Sequence, residues 1–262
     1  VPVTTHPLLA AGRRLVVGHR GNRAHAPENT LPAFAEAVAL GVDALELDVR
    51  LSADGEVVVL HDPTVDRTTN GHGAAADLPY ATLAGLDAGY HFSRDGGRTT
   101  PWRGRGAGIP RLADVLAAFP ATPLLIEIKV AEAAAPLRRV IEAAGATGRC
   151  IVESFVHASK APFAGSAVAV GASRRDLVRL LPRALAGQAP PYLPFAFMAI
   201  PTTYAGLPLP VAGFVRATAP HRAPVHCWTI NDPREAERLW QAGVTAIITD
   251  DPALILPLRE AA

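Results

Sequence analysis

The chain has 262 residues, 49% of them hydrophobic, and its 25 Lys plus Arg against 24 Asp plus Glu leave a formal charge of +1. That length and apolar content suit one α/β barrel or one large sandwich. The charge balance excludes broad binding to nucleic acid or to an anionic membrane, and no apolar run is long enough for stable membrane insertion, so any recognition of phosphate is local. Cys150 and Cys227 lie in apolar runs and read as buried small hydrophobes. The stretch Val1–Arg14 has no signal-peptide pattern, which points to a cytoplasmic location, although a chain that starts at Val can have been trimmed. Oligomeric state leaves no mark in the sequence.

In chain order, strands are expected at Leu15–His19, Ala44–Arg50, Val57–His61, Leu124–Lys129, Cys150–Phe155, Ala167–Gly171, Ala196–Ile200, Pro224–Thr229 and Ala246–Asp250. Helical patterns fall between most of them, at Ala33–Leu40, Leu112–Phe119, Ala133–Ala144, Asp176–Leu185 and Pro233–Ala242. This alternation implies a mainly parallel sheet. With about eight repeats and no Gly-rich dinucleotide fingerprint, it predicts a TIM-like (β/α)8 barrel, one domain over residues 1–262. The ninth strand has a local explanation. The link Leu51–Glu56 is too short for a helical crossover and contains Asp54–Gly55, a hairpin signal, so one of the flanking strands is an antiparallel arm. A two-residue turn there would set Asp48 opposite His61. Residues 63–111 break the rhythm with Gly, Thr, Asp and Arg, and read as an insertion near the active site, following the His61 strand.

Polar residues inside apolar strands carry the chemistry, because an unpaired buried charge is costly. Glu46 and Asp48 stand at i and i+2, hence on one strand face, and so do Glu127 and Lys129; His19-Arg20 and His61-Asp62 follow two further strands. Taken singly, each set has a plainer role as a solvated edge or an internal ion pair. Their joint position at strand ends, where α/β barrels place their chemistry, favours a site. Three carboxylates without cysteine ligands suit Mg2+ or Ca2+ better than zinc. Two histidines supply an acid and a base near neutrality, and Arg20 and Lys129 supply positive charge for a phosphate. Together these groups describe phosphoryl chemistry on a diester.

Gly18-His19-Arg20-Gly21, Pro27-Glu28-Asn29-Thr30, Glu46-Leu47-Asp48-Val49 and His61-Asp62 resemble, in order and spacing, the signature of the glycerophosphodiester phosphodiesterases. Ile109-Pro110, Ile126-Glu127-Ile128-Lys129, Ser154-Phe155, Trp228-Thr229-Ile230-Asn231 and Thr249-Asp250 extend the likeness to about residue 253. The resemblance implies a barrel that hydrolyses a small-molecule glycerophosphodiester to glycerol 3-phosphate and an alcohol. His19 and His61 would be acid and base, Glu46, Asp48 and Glu127 the ligands of a divalent cation, and Arg20 and Lys129 the phosphate contacts. In the family mechanism the glycerol 2-hydroxyl can attack phosphorus to give a cyclic phosphate that water opens. Glu28 either belongs to a helix cap or contacts Arg20 or the metal ligands. Phe155 and Trp228 either wall the glycerol or head-group side or pack in the core, and Asp250 orients a cation or ends its strand. Family members often carry Gln or Ser where this chain has Glu153, and this extra acid bears on the substrate. Alternatives are a phospholipase D-like hydrolase of lysophospholipids on the same site, and a non-catalytic phosphodiester-binding barrel.

Overall fold

The computed structural model describes residues 6–259. Its main sheet contains β1 (Leu15–His19), β2 (Ala44–Leu51), β3 (Val57–Val59), β4 (Leu124–Ile128), β5 (Cys150–Glu153), β6 (Ala169–Val170), β7 (Met198–Pro201), β10 (Val225–Trp228) and β11 (Ala246–Thr249), with a separate hairpin of β8 (Thr203–Tyr204) and β9 (Leu207–Pro208). Eight parallel strands run in the order β6-β5-β4-β2-β1-β11-β10-β7. The two ends of this row meet: Gly171 bridges Phe197 in parallel, Ala172 N donates to Phe197 O at 2.9 Å, and Ala196 N donates to Val170 O at 2.8 Å. A Cβ on Gly171 would stand 2.8 Å from the Phe197 ring and 3.1 Å from the Glu153 Cβ, so the close approach at this seam requires glycine. The result is a TIM-like (β/α)8 barrel with a segment inserted after β3.

The helices cover the outer face. α1 (Leu31–Leu40) starts at Thr30, whose hydroxyl accepts from Ala33 N at 3.4 Å, and stops at Gly41 in the left-handed region. It is followed by α2 (Tyr80–Ala84) in the insertion, α3 (Leu112–Ala118), α4 (Ala134–Ala143), α5 (Arg174–Ala186), α6 (Val211–Thr218), α7 (Pro233–Gln241) and α8 (Pro252–Ile255). The short helices α2, α6 and α8 and the β8–β9 hairpin lie outside the sequence expectation. No helix among the described residues is long and apolar enough to cross a membrane. Cys150 and Cys227 are buried and unpaired.

The interior of the barrel follows from strand parity. Leu15, Val17, Ala44, Leu125, Ile151, Phe197, Ala199, Ala246 and Ile248 pack together as the lower layers, and Leu8 from the turn Pro7–Leu9 plugs their end. Two residues further along the same inward faces stand His19, Glu46, Glu127 and Glu153. A strand with period two thus carries aliphatic side chains low and ionisable ones high, on one face.

The hairpin register differs from the sequence expectation by one residue. Val49 pairs with Val59, Arg50 with Val58 and Leu51 with Val57, and Leu60 N donates to Asp48 O at 3.0 Å, so Asp48 faces Leu60 and not His61. The turn holds three residues, closed by Gly55 N to Ser52 O and Ser52 N to Glu56 O, both 3.0 Å, with Gly55 at φ +82°. A three-residue turn with a left-handed glycine adds one residue to the loop and shifts every pair. The ladder ends at Val59 and the chain bends over residues 61–63, which frees His61 from strand parity.

Candidate active site

Register brings the acids together at the barrel mouth. His19 on β1 pairs with Glu46 on β2, Asp48 on β2 pairs with Glu127 on β4, and Glu127 pairs with Glu153 on β5. One oxygen from each of Glu46, Asp48 and Glu127 lies within 4.8 Å of the others. Lys129 Nζ sits 2.9 Å from Asp48 Oδ1 and 2.8 Å from Glu127 Oε2. Arg20 donates its backbone N–H to Glu46 Oε2 at 3.0 Å and a guanidinium N–H to Glu28 Oε1 at 2.8 Å, with its Nε 3.0 Å from Asp48 Oδ2.

Burial, followed by the fields of Asp48 and Glu127, pushes the Glu46 carboxyl well above the usual carboxylate range. Glu153 is pushed the same way by burial and by Glu127. Asp48 is instead held below its ordinary value, against the cost of burial, by Lys129, Arg20 and a 2.8 Å bond from Asn29 Nδ2. Four acids meet two basic side chains here. An oxygen-only donor set of crowded, buried carboxyls fits a hard divalent cation, whose charge would favour their ionised forms, and Glu46, Asp48 and Glu127 form the candidate site for one.

The two histidines are oriented alike. His19 Nδ1 lies 2.6 Å from Asp250 Oδ1, and His61 Nδ1 lies 2.6 Å from Asp62 Oδ1. Both aspartates are held below their ordinary pKa, so they are acceptors and Nδ1 of each ring carries the proton. Nε2 is then the free ring nitrogen, and for His19 it is 3.9 Å from Glu46 Oε2. Burial lowers both imidazole pKa values, more than the neighbouring carboxylates raise them. Asp250 thus acts on His19, a partner the sequence reading did not give it. It is fixed in turn by Asn231, whose Nδ2 donates to Asp250 Oδ2 at 3.1 Å and whose Oδ1 accepts from Asp250 N at 2.9 Å.

The loop from β1 to α1 shapes this layer. Arg20 (φ +55°) and Asn29 (φ +59°) both occupy the left-handed region, which is strained for non-glycine residues, and Asn29 N donates to Arg20 O at 3.1 Å. Gly21, at φ +87°, approaches α1 so closely that a Cβ would lie 2.6 Å from the Ala33 carbonyl carbon. Glu28 contacts Arg20, and Thr30 caps α1.

Three neighbours escaped the sequence reading. Asn29 holds Asp48, although its motif read as a helix start. Arg67, from the insertion, donates to both oxygens of Glu28 at 2.9 and 2.7 Å and also binds Asp62, tying the inserted segment to the partner of His61. Arg23 lies 3.4 Å from Glu28 and 3.5 Å from Asp250. Nothing in the local pattern marked Arg67 or Arg23, since each also joins a partner distant in sequence, Arg67 to Glu28 and Arg23 to Asp250. His72, in the same insertion, is exposed and paired with Asp66, away from the site.

A cavity of about 240 Å3 unites the set. Its lining includes His19, Arg20, Glu46, His61, Glu127, Lys129, Glu153, Phe155 and Trp228. Phe155 and Trp228 meet edge to face with ring centroids 5.9 Å apart and line one wall of the cavity, and Trp228 also packs against the lower barrel layers.

Residues 19–254 match the Glycerophosphoryl diester phosphodiesterase family. A glycerophosphodiester phosphodiesterase of Caldanaerobacter subterraneus is 32% identical over 94% of this chain and 98% of its own. A phosphodiesterase from Oleispira antarctica, solved in complex with the product sn-glycerol-3-phosphate, superposes with a TM-score of 0.72 at 25% identity, over 93% of this chain and 95% of that one. A putative glycerophosphoryl diester phosphodiesterase from Silicibacter pomeroyi reaches a TM-score of 0.75 at 25% identity, over 96% of both chains. The match over most of its length, on top of a barrel mouth with paired histidines and clustered acids, shows that the chain belongs to the glycerophosphoryl diester phosphodiesterase family.

Proposed function

We propose that the chain hydrolyses glycerophosphodiesters to glycerol 3-phosphate and an alcohol, with His19 and His61 as its acid–base pair. The observation that carries this reading is their common geometry: each ring is fixed by a carboxylate at Nδ1 and lines the cavity that also holds the acids and Lys129. Arg20 and Lys129 bind the phosphate oxygens; Phe155 and Trp228 hold the organic part of the diester. A divalent cation on Glu46, Asp48 and Glu127, Mg2+ or Ca2+, would neutralise charge on the phosphoryl group and acidify a hydroxyl beside it.

One imidazole takes the proton of the attacking hydroxyl through its free Nε2, and the other, protonated, gives a proton to the leaving oxygen. In the second half-reaction the roles reverse: water adds to phosphorus, a ring P–O bond of the cyclic phosphate breaks, and the glycerol oxygen released takes a proton. Asp250 and Asp62 hold the rings in the required tautomer. Glu28 and Arg67 act at one remove, Glu28 by keeping Arg20 aimed at the mouth and Arg67 by fixing Asp62. On this reading residues 63–111 are an insertion within one phosphodiesterase domain that braces the site through Arg67, and the protein works in the cytoplasm.

Turnover of glycerophosphocholine and glycerophosphoethanolamine, read as glycerol 3-phosphate released, tests the proposal. Protein loaded with Mg2+ or Ca2+ should release it, and a chelator should abolish release. No product from any glycerophosphodiester with either metal would end this reading.

A further inference from the structure

A second cavity, of about 200 Å3, opens where the loop from β1 to α1 meets the insertion, and Arg23 lines both it and the catalytic cavity. Its other charged residues are Glu28 and Arg67, joined by the hydroxyl-bearing Thr68 and Ser93. The one acid there is already saturated. Glu28 Oε1 accepts from Arg20 at 2.8 Å and from Arg67 at 2.7 Å, and its Oε2 accepts from Arg67 at 2.9 Å. Against the cost of burial, these bonds and the fields of Arg20 and Arg23 hold its carboxyl well below the usual carboxylate range. Arg23 is less committed. Its guanidinium lies 3.4 Å from Glu28 and 3.5 Å from Asp250, both long contacts, and its side chain is 29% exposed. A guanidinium carries five N–H donors in a fixed fork, so donors remain for a ligand. Glu153, the extra acid of the mouth, lines the first cavity and not this one. Two arginines against one saturated carboxylate make the second cavity a place for an anion.

We propose that Arg23 is a specificity-determining residue, which receives in this second cavity an anionic group carried on the leaving alcohol of the preferred diester. The proposal rests on the hydrolase reading above. The phosphate is held in the first cavity by Arg20 and Lys129, and the alcohol passes Arg23 into the second. A space of about 200 Å3 suits an alcohol of a few heavy atoms, with its hydroxyls toward Thr68 and Ser93 and its acid group on the guanidinium fork. A carboxylate and a phosphate both match that fork. A cationic alcohol gains nothing there. The bonds made and broken at phosphorus stay those of the hydrolase reading, since Arg23 acts on the far end of the alcohol.

The test compares kcat/KM of the cation-loaded protein on three glycerophosphodiesters. Their leaving alcohols are glycerol, which is neutral, glycerate, which adds a carboxylate, and glycerol phosphate, which adds a phosphate. At low salt one or both acidic alcohols should be favoured over glycerol by about tenfold, and the one favoured identifies the anion. The preference should shrink as salt rises from about 20 mM to about 500 mM, because a partly exposed charge contact is screened. Arg23→Gln should erase the preference, and Arg23→Lys, which keeps the charge without the fork, should retain part of it. Equal efficiency on all three substrates in the parent protein overturns the proposal and spares the hydrolase reading. An equal loss on all three in Arg23→Gln also overturns it, since a role confined to steadying Asp250 would give that result. Failure to cleave any glycerophosphodiester condemns the hydrolase reading instead.

Discussion

The two ends of the barrel interior are built from the same strands and obey opposite rules. At the floor, Leu8, Leu125, Ile151 and Phe197 close the barrel with apolar surface, and the histidines His6 and His226 are buried there as neutral rings. At the mouth, two residues further along β4 and β5 from Leu125 and Ile151, Glu127 and Glu153 face Asp48, Lys129 and Arg20 in a cavity. One end gains stability from excluding charge. The other crowds buried carboxyls beside Arg20 and Lys129, an arrangement that a divalent cation would complete. The fold therefore separates the residues that hold it together from those of the candidate site, along single strands.

The sharpest way to break that division is at the mouth. His19→Ala and His61→Ala should each lower turnover by about two or more orders of magnitude while the thermal transition stays in place. A variant that unfolds, or one that keeps its rate, contradicts the separation. At the floor the effects should exchange places. Leu8→Ala should cost about 2–5 kcal/mol of stability in denaturant titration, because a fully buried plug leaves a cavity, while KM at low temperature remains near the parent value.

Acid should push the two ends in opposite directions. The folded-state pKa of His226 is lowered by burial to about 3 and that of His6 to about 4, against an ordinary 6.5. As pH falls below 6.5 the unfolded chain binds protons at these positions before the folded one does, so their contribution to stability declines down to those values. The slope is about 1.4 kcal/mol per pH unit for each histidine. Glu46 and Glu153 have raised values, so the folded state takes up protons first and their contribution improves over the same fall. Urea titrations of His226→Phe between pH 6.5 and 4 should show its stability relative to the parent rising as pH drops. A constant difference would mean that His226 is not a buried neutral ring.

Much of the site was visible in one dimension. Glu46-Leu47-Asp48 and Glu127-Ile128-Lys129 declare a shared strand face by spacing alone, and the Asp54–Gly55 pair announces the hairpin. The register of that hairpin was not visible, because a glycine in the left-handed region turns a two-residue loop into a three-residue one without changing the composition. His61 reaches the mouth by leaving its ladder at Val59 rather than by facing Asp48.

The sequence by itself determined the order of the main-sheet strands and of the longer helices between them, the parity that sends acids and aliphatics to one inward face, and the motifs around His19, Glu46 and His61. These are local properties, set by backbone periods of two and 3.6. Only the tertiary structure decided which carboxylate orients which histidine, how Arg67 from the insertion reaches Asp62 and Glu28, and where Gly171 and Phe197 seal the barrel. Most of these contacts join residues tens to hundreds of positions apart, such as His19 with Asp250 and Arg67 with Glu28, and no local period records them.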